Sequence, residues 1–225
     1  MEHILASIEA LLEESEAFEP KTVTRTFTLS STDLKQKVIL PQLLRIIRLE
    51  APGVKLSVRK LEIDQITNAL LTGEVDLVIS KPSFVPSNLP TLNLYPESYT
   101  CVASKNNAMV SKKMTISDIA KISQLVVSPS RGDCVDATND WFEQQGHPRN
   151  VVLSVPTFTA AKACIVESDL CGFIPSRLLQ DNNLKIIELD KSIPGFDIIA
   201  AWHQRSSQDP LHKWIRNKLV SICSL

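Results

Sequence analysis

Between Thr24 and Ile79 the chain alternates β-rich runs with helical segments, and that order leaves few folds open. Thr24 to Ser30 alternates β-favouring residues and reads as a strand. A helix capped at Thr32 or Asp33 then reaches Glu50, where Ala51-Pro52-Gly53 stops it. Val54 to Lys60 alternates apolar with polar residues, as a half-exposed edge strand does. A helix from Asp64 to Thr72 ends at Gly73, and Val75 to Ile79 follows as a short buried strand. Strand, helix, strand, helix, strand is a βαβαβ unit, so a parallel sheet with right-handed crossovers is expected.

The helix from Asp33 is apolar nearly all round: Val38, Ile39, Leu40, Leu43, Leu44, Ile46, Ile47 and Leu49 cover more than one stripe. One face is expected on the sheet and another against something outside the domain. A proline-rich connection, Pro82 to Pro96, leads to Tyr99–Ala103. The second half repeats the pattern. Leu125–Ser128 reads as a strand, Asp133–Gln145 as a helix, Val151–Val155 as a strand, Thr157–Glu167 as a helix and Cys171–Ile174 as a strand. Leu184–Leu189 and Phe196–Trp202 add two more strands, and a last helix starts at Pro210 behind Asp209 as N-cap. Periodicity alone does not decide whether the two α/β modules share one sheet.

With 24 Lys and Arg against 25 Asp and Glu, the net charge of −1 lacks the footprint of a protein that grips phosphates. Any DNA contact must come from elsewhere. The five cysteines, Cys101, Cys134, Cys164, Cys171 and Cys223, show no C-x-x-C and no zinc-like spacing with the four histidines, so they read as reduced thiols and favour the cytoplasm. No apolar run is long enough for a membrane helix, and the acidic N-terminus is the wrong charge for a signal peptide. Residues 2 to 17 place Ile4, Ile8, Leu11 and Leu12 on one face of an amphipathic helix, closed by Pro20.

In parallel α/β sheets ligands bind off the carboxyl ends of strands, where helix N-termini present free N–H groups. Hydroxyl residues stand at several such ends: Ser30-Ser31-Thr32, Ser80-Lys81-Pro82-Ser83, Ser128-Pro129-Ser130-Arg131 and Pro156-Thr157-Phe158-Thr159. Together they suit an anion, with Arg131 as a bidentate partner for a carboxylate. Each serine or threonine alone reads more readily as a helix cap than as a ligand contact, and Phe158 equally as a core residue or a stacking partner. Lys81 fits an anionic ligand or plain solvent exposure. Cys134, near Arg131 at a predicted helix start, is a candidate for a stabilised thiolate. None of His147, His203 and His212 belongs to a recognisable catalytic arrangement, and no glycine-rich nucleotide motif occurs, so neither an enzyme nor a cofactor is expected.

Several stretches in this order resemble the effector-binding part of LysR-type transcriptional regulators: Phe18-Glu19-Pro20, Ser31-Thr32-Asp33, Ala51-Pro52-Gly53, Gly73-Glu-Val-Asp76-Leu-Val, Ser168-Asp-Leu170 with Pro175, and Trp202-His203 with Asp209-Pro210 and Trp214-Ile-Arg216. The branch resembled is that of nodulation-gene and aromatic-degradation regulators. The resemblance implies two Rossmann-like subdomains of the type II periplasmic-binding-protein kind, joined by two crossing strands. Residues 1–20 would be a linker helix, 25–99 with 198–225 subdomain I, and 100–197 subdomain II. It also implies a small-molecule effector, an organic acid or anion, held by Ser31, Thr32, Ser80, Lys81, Ser130, Arg131, Thr157 and Phe158. A homodimer or tetramer is implied, with the helix from Asp33 and the strand from Val54 in the dimer contact, and DNA bound only through a winged helix-turn-helix preceding Met1. The chain would then be a fragment or the effector half of a longer regulator. Two alternatives accompany this reading. One is a periplasmic-type solute receptor; the other is a redox sensor through Cys134, for which a resolving cysteine is missing around Asp140-Trp141-Phe142.

Overall fold

The computed structural model describes residues 18–129, 132–136 and 138–224, so the helix expected over residues 2 to 17 lies outside them. In chain order the regular elements are β1 (Arg25–Ser31), α1 (Asp33–Glu50), β2 (Val54–Lys60), α2 (Ile66–Thr72), β3 (Leu77–Ser80), β4 (Thr91–Glu97), β5 (Tyr99–Ser104) and β6 (Lys113–Met114). They continue as α3 (Ile116–Lys121), β7 (Gln124–Val127), α4 (Asn139–Gln144), β8 (Val151–Val155), α5 (Phe158–Val166), β9 (Cys171–Pro175), β10 (Leu184–Leu189), β11 (Phe196–Trp202) and α6 (Pro210–Cys223).

The strands form two sheets rather than one. The first has the order β2-β1-β3-β11-β4 and the second β6-β10-β5-β9-β7-β8. β1 runs parallel to β2 and β3, as the βαβαβ pattern requires, and β2 is the edge strand. α1 lies on this sheet because Ile39, Leu43 and Ile47 recur every fourth residue and bury with Phe27, Leu29, Leu77 and Ile79. α6 joins the same core through Leu211, Ile215 and Leu219, and Asp209 caps it by accepting the His212 N–H at 2.8 Å.

Three expectations need correction. Residues 82 to 96 are not only a connection: β4 pairs antiparallel with β11, and Pro96 is tolerated because β4 is an edge strand, where a missing N–H breaks few ladder bonds. The helix expected from Asp64 opens as a 3₁₀ turn over Ile63–Gln65 before α2 starts at Ile66. Gly73 ends α2 in the left-handed region at φ +79°, where a Cβ would come within 2.7 Å of the Arg205 guanidinium. The helix expected from Asp133 begins only at Asn139. Asp136 accepts both the N–H and the hydroxyl of Thr138, while Asn139 accepts the Asp136 N–H, so local side-chain bonds replace the first helical turns.

The chain crosses between sheets twice, at Ser98 between β4 and β5 and again on entering β11. The two crossings touch. A Cβ on Gly195 would lie 2.9 Å from the Glu97 carbonyl oxygen, so only glycine permits this approach. The second sheet is covered on both faces, one side by Leu125, Val127, Phe158, Ala161 and Ile165, the other by Ile116, Ile119, Phe142 and Phe173.

Candidate functional site

The first turn of α1 belongs to both halves of the molecule. Leu34 is buried not on its own sheet but among Val102, Leu125, Val127, Val155 and Phe158 of the second. One residue earlier, a carboxylate oxygen of Asp33 accepts the Thr159 backbone N–H at 2.9 Å and its hydroxyl at 3.2 Å, which ties the start of α1 to the start of α5. The other clasp lies at the crossings. One oxygen of the buried Glu97 carboxylate accepts three bonds, from the Ser98 N–H at 2.9 Å, the Ser176 N–H at 3.0 Å and the Ser176 hydroxyl at 2.6 Å. Ser176 follows β9 of the second sheet, so Glu97 joins the two sheets near their hinge.

Two amines lie between these clasps. Lys35 is 4% exposed, and its amine donates to the Thr32 hydroxyl at 3.0 Å. Burial and the nearby charge of Lys81 lower its pKa to about 7, while Asp33 and Glu97 pull the other way. The Lys81 amine donates to the Tyr99 hydroxyl at 2.6 Å and lies 4.0 Å from the centre of the Phe196 ring. Burial lowers its pKa to about 8, against the opposing charge of Asp136. An ammonium has three donors, and each amine spends one on a neutral hydroxyl. The Ser80 hydroxyl, the second Glu97 oxygen and the second Asp33 oxygen are buried and have no hydrogen-bond partner among the described residues. Such groups are costly to leave unmet, which marks a place arranged for something else.

Asp136 is held near this cleft by Arg149. The Arg149 side chain is fully buried and donates to Asp136 at 2.8 Å, to the Thr138 hydroxyl at 2.6 Å and to Gln124 at 2.7 Å. Its guanidinium also lies 5.0 Å from the centre of the Phe173 ring. A buried ion pair with this many hydrogen bonds fixes the loop ahead of α4.

The structure gathers some of the residues read from the sequence and disperses others. Ser31, Thr32, Ser80 and Lys81 lie together at the ends of β1 and β3. Thr157 caps α5, its hydroxyl accepting the Ala160 N–H at 3.1 Å, and Phe158 is a core residue beside Leu34. Ser130 and Arg131 fall outside the described residues. Cys134 is exposed and precedes α4 by several residues, so it does not stand at a helix N-terminus. His212 is a core residue: its Nδ1 accepts from Arg216 at 2.6 Å and its Nε2 donates to the Asp76 carbonyl at 2.9 Å.

Lys35, Asp33, Glu97, Tyr99 and Phe196 were not singled out from the sequence. Lys35 carried a readable signal, because it heads the buried stripe of Ile39, Leu43 and Ile47 at the same spacing of four.

Beside the Asp33–Thr159 contact is a cavity of about 370 Å³ lined by Lys37, Lys162, Glu167, Leu178 and Asp181. Two of its charges are already paired: the Lys162 amine donates to the Leu178 carbonyl at 2.9 Å and pairs with Asp181 at 3.4 Å. Among the described residues the amines of Lys35 and Lys81 have no carboxylate or carbonyl partner, and they are the better candidates for ligand contact.

The family described as LysR substrate binding domain matches residues 21–223. Among curated proteins, the chain is 25% identical over 218 residues to the HTH-type transcriptional regulator LinR of Sphingobium indicum, covering 95% of this chain and 72% of that one. It is 27% identical over 207 residues to Nodulation protein D 3 of Rhizobium leguminosarum bv. phaseoli, covering 90% and 68%. Among solved structures, the regulatory domain of MexT, a transcriptional activator in Pseudomonas aeruginosa, superposes with a TM-score of 0.76 at 24% identity, covering 89% of this chain and 99% of that one.

Proposed function

Because this chain belongs to the LysR substrate-binding domain family and is the effector-binding domain of a transcriptional regulator, we propose that its effector is a small organic acid or other anion held between its two sheets. The relatives are regulators and not enzymes. One observation carries the proposal: two amines, of the buried Lys35 and the half-buried Lys81, lie just beyond the carboxyl ends of β1 and β3 with spare donors and no carboxylate in contact among the described residues. Ser31, Thr32 and Ser80 complete this wall, and Ser130 and Arg131, which lie outside the described residues, are proposed as contacts with them.

In this reading residues 25–99 with 198–225 act as one lobe and residues 100–197 as the other. The effector biases their closure through the Asp33 and Glu97 clasps. A ligand moves such a balance only by its differential affinity for the two arrangements. The change reaches DNA through a second copy of the chain. α1 leaves Leu44 and Leu49 exposed, and β2 beside it is an unpaired edge, so a homodimer or a tetramer built from it is the proposed assembly. DNA itself is contacted by a winged helix-turn-helix and not by this domain, which acts in the cytoplasm. Among the described residues no helix is long and apolar enough to cross a membrane.

The test is a thermal-shift screen of small aromatic and aliphatic acids, followed by NMR mapping of any hit. Amide perturbations at Thr32, Ser80 and Ser98 are expected. Perturbations confined to the cavity around Lys37 and Lys162 would move the effector site there and refute the assignment.

A further inference from the structure

The two lysines allow a narrower statement, which rests on the effector-binding reading above. We propose that the anionic group of the effector is an oxyanion that bridges Lys35 and Lys81, and that these two side chains set the demand for negative charge. Lys81 was read from the strand-end sequence and Lys35 was not, and each comes from a different element, the end of β3 and α1.

The argument is one of unmet charge. Lys35 faces Thr32 and Asp33 on its own helix, Lys81 beyond β3, and Glu97 on β4; Lys81 faces Tyr99 on β5, Phe196 on β11 and Asp136 on the loop before α4. Each neighbouring carboxylate has an oxygen engaged elsewhere, and the second oxygens of Asp33 and Glu97 are bare among the described residues. Asp33 holds Thr159, Glu97 holds Ser98 and Ser176, and Asp136 holds Arg149. The carboxylates act on the amines at a distance without contacting them. Burial holds both amines below the range of an exposed lysine, and the charge of Lys81 adds to the effect on Lys35. An oxyanion between them reverses this, because it supplies the missing contact and favours the charged form of both. Binding then takes up protons from the solvent: each neutral amine that becomes an ammonium removes one proton from the buffer, and no other bond changes. The buried Ser80 hydroxyl, without a partner in the described structure, can donate to the same group.

The test uses sulfate, malonate and benzoate as probes, each as the sodium salt, against sodium chloride at matched ionic strength. The wild-type domain, Lys35→Met and Lys81→Met are compared by thermal shift and calorimetry at pH 7.5. At least one probe should stabilise the wild type above chloride, and each substitution should weaken that probe about ten- to a hundredfold, the size of a lost charge-assisted hydrogen bond. Repeating the titration in two buffers of different ionisation enthalpy should show proton uptake in the wild type and less in either variant. A probe that binds both variants as well as wild type while perturbing the Thr32, Ser80 and Ser98 amides would overturn the lysine bridge and leave the effector cleft standing. Binding that perturbs only residues elsewhere would overturn both. Failure of all three probes to stabilise the wild type above chloride also overturns the bridge.

Discussion

Replacing Lys35 by methionine should make the effector-free domain more stable. The side chain is 4% exposed and, among the described residues, has one hydrogen bond, to the Thr32 hydroxyl. Its amine titrates near pH 7 in the folded chain, against 10.5 for an exposed lysine. The sign follows from proton counting: between pH 7 and 10.5 the unfolded chain holds a proton that the folded chain has released, so stability rises with pH across that window and is lowest below it. At about 1.36 kcal/mol per tenfold change in proton affinity, the lysine costs the folded state about 5 kcal/mol at pH 6 and about 2 kcal/mol at pH 9. Methionine has a similar length, fills the same space and has no charge to desolvate. Losing the bond to Thr32 returns about 1 kcal/mol, so a net gain of about 3 to 4 kcal/mol is expected at pH 6. The gain should shrink to about 1 kcal/mol at pH 9. Urea unfolding of both proteins at the two pH values measures it. A variant less stable than wild type at pH 6, or a gain that does not fall with rising pH, would refute the claim that Lys35 is buried without adequate compensation.

Other substitutions probe separate parts of the structure. Arg149→Met should cost roughly 3 to 5 kcal/mol in urea unfolding, because it leaves the buried Asp136 and Gln124 unpaired. Leu44→Glu should leave folding intact, since Leu44 is half exposed, but should shift the sedimentation of the domain from dimer to monomer; an unchanged dimer would place the contact elsewhere. His212 is held neutral between Arg216 and the Asp76 carbonyl, and burial lowers its pKa below 6.5. The unfolded chain therefore gains a proton first as pH falls, so stability should drop between pH 7 and pH 5. His212→Gln should flatten that slope, and a slope that persists would assign it to another group.

How much of this was legible beforehand depended on the range over which each signal acts. β1, α1, β2 and β3 were readable because Phe27, Leu29, Ile39, Leu43 and Ile47 bury on a period set by their own element. The cap at Asp209 and the stop at Gly73 were readable because one residue satisfies or frees the backbone locally. β4 was missed because Pro90 and Pro96 read as loop residues, and only pairing with β11, a hundred residues later, makes Thr91 to Glu97 a strand. The late start of α4 was missed because Asp136, Thr138 and Asn139 bond one another and Arg149, and this competition is invisible to a count of apolar spacing. Ser31, Thr32, Ser80 and Lys81 could be picked out as strand-end residues. That Thr157 and Phe158 serve as cap and core could be weighed from sequence but not decided.

The residues that escaped the sequence reading share a physical trait. Lys35 and Glu97 are both buried charged groups; the spacing of Lys35 with Ile39, Leu43 and Ile47 signals its burial, whereas nothing local signals that of Glu97. Their positions destabilise the folded chain: an amine without a counter-ion, and a carboxylate with one oxygen engaged and the other bare. Arg149 is equally buried but fully paired, and that contrast separates a structural charge from a waiting one. Where a fold of this size satisfies one buried charge with four side chains and leaves two others open in the seam between its sheets, stability alone does not account for the difference. A ligand that enters the seam would recover what the empty cleft gives up. The same amines that weaken the unliganded domain would then supply the differential affinity that effector control of closure requires.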